Sequence, residues 1–170
     1  MKLAETEINR YDWARLRCGC GQPATHVAVD LLQIAGVVGE DRPDTGICDG
    51  HVFASAVLFE PALAAVSVAL AALADDISLA ARRAFSELLL LLVASEGQPT
   101  QLVLEGRDLI GECITSARNG IWLLYSEVLS GRCVDAASNA YETLSIIDEN
   151  DDRISRVQAA AGDLLRSDLQ

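Results

Sequence analysis

Residues 61 to 97 read "PALAAVSVALAALADDISLAARRAFSELLLLLVASEG", and their apolar residues recur at helical rather than strand spacing. Leu63, Val66, Leu70 and Leu73 fall at i, i+3, i+7 and i+10, one face of a helix that Asp75 and Asp76 close. Asp76 or Ser78 can cap a second helix, in which Ala81, Phe85, Leu88, Leu89 and Leu92 form a wide stripe ended by Gly97 and Pro99. Its leucine run leaves almost no polar face, so that helix is expected to be buried on both sides.

The period continues. "TQLVLEGRDLIGECITSARNG" reads as one helix with Thr100 as N-cap and Leu102, Leu109, Ile110, Cys113 and Ile114 inward, stopped by Asn119–Gly120. In "IWLLYSEVLSG", Trp122, Tyr125 and Leu129 share a face and are expected in the core. "CVDAASNAYETLSII" lines up Ala136, Ala137, Ala140, Tyr141, Leu144 and Ile147, and the turn "DENDD", read as solvated, precedes a last helix from Arg153. "DENDD" lacks the glycine and distal glutamate of a calcium loop. Short turns between such helices predict one all-α domain over residues 1–170, a stack or bundle of about six to seven helices.

The first fifty residues are less determinate. "ATHVAVDLLQIAG" reads as a helix with Val27, Leu31, Ile34 and Ala35 inward, or as a strand alternating Val27, Val29 and Leu31 in a hairpin that carries a zinc knuckle. The helical reading is preferred because it continues the downstream pattern. Residues 37 to 46 read as a polar loop.

Composition limits the partners. With 51% hydrophobic residues but 5% aromatic, the core must be built from Ala, Leu, Val and Ile, which suits close helix packing. A formal net charge of −12 repels phosphate, which disfavours nucleic acid and anionic membranes and favours a basic protein or a small molecule. The start "MKLAETEINR" lacks a signal peptide's apolar region, and Pro61–Ala74 is too short to span a bilayer. The five cysteines, an odd number, fit reduced thiols, so a cytoplasmic protein is expected.

Several segments resemble HEAT-like repeat proteins of bacteria, mostly actinobacteria. "YDWARLRCGCGQPATHVAVDLL" followed by "GHVFASAVLFEPALAAVSVALAAL" is similar to the opening of such proteins, where a "DW..L" entry and a glycine turn lead into the first helix pair. "DISLAARRAFSELLLLL", "SGRCVDAASNAYETLSII" and "RISRVQAAAGDLL" look like inner helices of the repeats. The resemblance implies an α-solenoid whose curved face holds another molecule, with no common chemistry.

Two turns in the N-terminal part, residues 11–51, carry the metal question. "RCGCGQP" holds Cys18 and Cys20, and "ICDGHV" holds Cys48 and His51. Together they make a Cys3His set of the kind zinc takes in a tetrahedron, with His26 as an alternative fourth ligand. Against a site stand the tight CxC spacing and the long separation before Cys48. Thiols without metal are the favoured reading, and a redox pair is a third. No cofactor is expected unless zinc occupies these turns.

A second candidate is a carboxylate ridge. On one continuous helix, Glu105, Asp108 and Glu112 at i, i+3 and i+7 would share a face able to meet a basic partner, although a merely solvated face is the commoner meaning of such a pattern. No nucleophile, zincin, P-loop or dinucleotide motif is present, and two histidines are a poor stock for acid–base work, so no catalytic residue is assigned. The leading expectation is an acidic binding module, such as an inhibitor or immunity-type partner of a basic protein. The alternatives are a small-molecule binder or enzyme with a pocket between helices, and a zinc-dependent regulator.

Overall fold

The structure, a computed structural model, describes residues 2–39 and 48–170 and is 65% helix. Among the described residues the α-helices are α1 (Lys2–Ile8), α2 (Thr25–Ala35), α3 (Ala62–Ala74), α4 (Leu79–Val93), α5 (Thr100–Leu104), α6 (Leu109–Arg118), α7 (Ile121–Leu129), α8 (Val134–Ile147) and α9 (Asp151–Ala161). Phe53–Ala54 (β1) and Val57–Leu58 (β2) form a two-residue antiparallel hairpin. No helix among them is long and apolar enough to cross a membrane.

Helix α4 is the hub. Ser78 caps it, its hydroxyl accepting from the Ala81 amide at 3.1 Å. Leu88, Leu89, Leu92 and Val93 are buried and the helix packs on α2, α3, α6 and α8, but Leu91 is exposed, so burial on both sides holds only in part. The contact between α4 and α8 joins helices far apart in the chain. One apolar core runs from Ala4 on α1 to Leu165 past α9, built mostly from Ala, Leu and Val as the composition demands.

Near the N-terminus the helical reading of residues 24–36 holds. Val27, Leu31, Ile34 and Ala35 of α2 are buried while Val29 is 52% exposed, which a strand alternating with Val27 would not allow. The hairpin lies instead at Phe53–Leu58, turning through Ser55 and Ala56, both at left-handed φ (+46° and +63°). Residues 40 to 46 of the expected polar loop lie outside the described residues.

Four local expectations are corrected. Residues 100 to 120 are two helices. Gly106 adopts φ +75°, the Arg107 amide reaches back to the Leu102 carbonyl at 2.9 Å, and Asp108 restarts the chain as the N-cap of α6. Gln98 fixes this break, donating to the Arg107 carbonyl and accepting from the Leu109 amide, both at 2.6 Å. Thr100 is the first residue of α5 rather than its cap.

Trp122 and Leu129 lie outside the core, Trp122 being 68% exposed. The buried face of α7 is Leu124, Tyr125, Glu127 and Val128, and a glutamate on that face hid it from the apolar period. Asp148, read as part of a solvated turn, is buried. Arg153 donates to it from Nε at 2.8 Å and Nη2 at 2.6 Å, and the Tyr125 hydroxyl donates to its Oδ2.

Candidate metal centre

The segment before α2 is a tight loop with few conformational options. Arg17 and Pro23 pair as an isolated bridge, the Cys18 amide donates to the Gln22 carbonyl at 3.0 Å, and the Gly21 amide donates back to the Cys18 carbonyl at 2.9 Å. Gly21, at φ +80°, permits that closure. Gly19 is required for a different reason. A Cβ there would lie 2.4 Å from the Phe59 ring and 2.5 Å from the Gly50 carbonyl oxygen. Without one, the Gly19 amide can donate to the His51 carbonyl at 3.0 Å, docking the loop onto the turn that precedes β1.

This docking gathers Cys18 and Cys20 from the loop, His26 from the first turn of α2 and His51 from the turn before β1. Their four ligand atoms all lie within 4.8 Å of one another. Cys18 Sγ is 3.3 Å from His26 Nε2 and 3.2 Å from His51 Nδ1, the two ring nitrogens are 3.0 Å apart, and Cys20 Sγ is 3.9 Å from His26 Nε2. Zinc bond lengths give tetrahedral edges of about 3.6 Å between sulfur and nitrogen and about 3.3 Å between two nitrogens. The sulfur–nitrogen distances of 3.2 to 3.9 Å bracket the first, and the 3.0 Å between nitrogens is somewhat shorter than the second. Hydrogen bonding alone serves this triangle poorly, because no donor hydrogen can point along two of its edges at once. A central cation would accept all the lone pairs together.

Electrostatics around Cys18 favour the protonated thiol when no metal is bound. Burial pushes its thiol up to about 11, while the backbone amides of Cys20 and Gly19 favour its thiolate. A dication bound here would have to displace that proton and serve as the thiolate's counter-charge. The Asp30 carboxyl, one turn beyond His26 on α2, interacts electrostatically with both imidazoles and is raised by its own burial.

Of the four metal candidates read from sequence, the structure brings together Cys18, Cys20 and His51. Cys48 stands outside the cluster and His26 takes its place. The reason is helical geometry. The Cys48 carbonyl accepts from the His51 and Val52 amides at 3.2 and 2.9 Å, a turn that carries the Cys48 side chain into the core, where burial pushes the thiol up to about 12. His26 projects toward the cluster from the start of α2, and the helical reading of that segment, combined with the CxC loop just before it, was the signal for it. Cys113 is a buried packing residue of α6, and Cys133 is half-buried at the start of α8.

The three ridge carboxylates do not share a helix face, because Gly106 separates α5 from α6. Glu105 ends α5, accepting from Gln101 at 2.8 Å with Arg17 at 3.5 Å. Asp108 accepts the Gly111 amide as a cap, and Glu112 is held by Arg107 through both oxygens. Asp108 and Glu112 border an open groove of about 500 Å³ with Leu63, Thr115, Ser116 and Asn119. Beside Cys18 lies a smaller cavity of about 140 Å³ among Arg17, Phe59, Glu60 and Leu102, well below what a drug-sized ligand fills.

No family model, no curated protein and no solved structure matches this chain, so the cluster stands on its own geometry.

Proposed function

We propose that the chain is a zinc-binding helical protein whose Cys18, Cys20, His26 and His51 form a Cys2His2 centre. The observation that carries this reading is the convergence of four soft or borderline donors, from three separate segments, within 4.8 Å of one another, close enough to share one ion. Four protein ligands make a closed coordination set, so the centre's first role is structural. It would tie the loop of residues 17–23 and the turn before β1 to α2, adding to the backbone hydrogen bond that already docks the loop on that turn. Purified without added metal, the protein should carry about one zinc per chain. His26→Ala should abolish that zinc and Cys48→Ala should retain it. Zinc that survives the His26 change, or disappears with Cys48, rejects the assignment.

A second reading concerns the helical body and is favoured by the groove between α3 and α6. We infer a module that takes a basic protein there, with Asp108 and Glu112 on the rim. The net charge of −12 would steer such a partner and repel nucleic acid. The HEAT-like arrangement belongs to the same reading. The short links from α3 to α4 and from α7 to α8 support paired helices, while the packing of α4 on α8 supports a closed bundle over an extended solenoid, in which repeats touch only their neighbours. If so, binding should weaken with salt, and Asp108→Asn with Glu112→Gln should slow association. Binding indifferent to both would move the contact elsewhere.

A further inference from the structure

We infer that Cys20 is the exchangeable ligand of this centre, the position at which a small-molecule thiol enters and through which the metal is loaded and handed on. The inference rests on the metal assignment above and adds a division of labour among its ligands.

The four donors are unequal. Cys18 Sγ, His26 Nε2 and His51 Nδ1 form a compact triangle with edges of 3.0 to 3.3 Å, whereas Cys20 Sγ stands 3.9 Å from His26. Cys18 is buried, and both histidines are half-buried, but Cys20 is exposed. The backbone draws the same distinction. Cys18 is anchored through its amide to Gln22 and through its neighbour's amide to His51. Cys20 occupies the tip of the loop, between Gly19 and a Gly21 that has open space around it. Moving Cys20 away disturbs no core packing, while moving Cys18, His26 or His51 would undock the loop or α2.

Three anchored ligands and one exposed thiolate define an exchange position. The incoming group must be soft, singly charged once bound and able to approach from solvent, which describes a low-molecular-weight thiol. The step balances without any redox change. The metal–sulfur bond to Cys20 breaks and one to the incoming sulfur forms, while the proton of the incoming thiol passes to the Cys20 sulfur. Run in reverse, the same exchange seats a metal delivered as a thiolate complex.

Cobalt(II) is a suitable probe, because each thiolate ligand adds charge-transfer absorption in the near ultraviolet. Wild-type protein should take up one cobalt with a two-thiolate spectrum. Cys20→Ala should still take up one cobalt, with roughly half that absorption, and 2-mercaptoethanol should restore the remainder. Cobalt uptake lost in Cys20→Ala as completely as in His26→Ala would overturn the inference. So would a Cys20→Ala spectrum that 2-mercaptoethanol leaves unchanged. Wild-type protein that takes up no cobalt would overturn the metal assignment itself, a result distinguishable from both. Circular dichroism of Cys20→Ala, expected to match wild type because the residue is exposed, verifies that lost uptake reflects coordination rather than unfolding.

Discussion

Arg82 Nη1 lies 2.7 Å from Glu127 Oε2, joining α4 to α7, and the two side chains are 4% and 2% exposed. Arg82 also donates to the Leu73 carbonyl at 3.0 Å and the Asp75 carbonyl at 3.2 Å, so one guanidinium satisfies the end of α3 and the glutamate together. Glu127 Oε1 is buried without a partner. A buried pair of this kind contributes little net stability, but breaking it strands a charge.

Glu127→Leu should therefore destabilise the protein by about 3–5 kcal/mol, and Arg82→Leu by at least as much, since it also strands two carbonyls. The double variant should cost much less than the sum of the two. Guanidinium unfolding of the four proteins checks this, and additive costs would mean that the pair is not coupled as described.

Asp148 gives a pH signature. The Arg153 guanidinium holds its carboxyl well below the usual carboxylate range, with the Tyr125 hydroxyl and the Asn150 amide adding to the effect. A depressed folded-state pKa contributes stability above the unfolded value of about 3.9 and loses it as pH falls through the folded value. The stability gap between wild type and Asp148→Asn should thus be constant near neutrality, about 2 kcal/mol, and shrink below about pH 4. A gap independent of pH down to the acid transition contradicts the ion pair.

Gly106 tests the helix break. A Cβ at this position would meet no atom within 4 Å, so any cost of Gly106→Ala comes from its φ of +75° alone. A loss of about 1 kcal/mol is expected. A neutral or stabilising change would indicate that α5 and α6 run on as one helix and would restore the ridge of Glu105, Asp108 and Glu112.

The helix break also shows what the sequence made legible. Helices α3 and α8, and the start of α4, were readable to within a residue or two because their apolar stripes are wide and their ends carry Asp or Ser. Helix α4 stops at Val93, four residues before the Gly97 read as its end. A lone glycine inside "LEGRDL" is a weak stop signal, and the capping role of Asp108 and the bridging role of Gln98 emerge only from contacts. Trp122 was misplaced because a buried Glu127, paired chiefly with Arg82 across from it, rotated the inner face away from the apolar residues. At the metal cluster the thiols of the CxC loop and His51 were legible from residue type. Choosing His26 over Cys48 required knowing that the turn at residues 48–52 aims the thiol inward.

Thiol reactivity brings the fold and the metal centre under one measurement. Of the five cysteines, Cys20 is exposed, Cys133 is half-buried, and Cys18, Cys48 and Cys113 are buried. Burial pushes both Cys48 and Cys113 up to about 12, so neither forms the nucleophilic thiolate at neutral pH. In metal-free protein an alkylating reagent should modify Cys20 first and Cys133 more slowly, leaving Cys48 and Cys113 intact until the chain unfolds. One equivalent of zinc should slow Cys20 by tenfold or more, on the order of what coordination of a thiolate implies, and leave Cys133 unchanged. Mass-spectrometric mapping of the labelled cysteines resolves each site separately. Early labelling of Cys48 would contradict the packing of the turn before β1, and equal protection of Cys20 and Cys133 by zinc would point to general tightening of the fold rather than to coordination by the cluster.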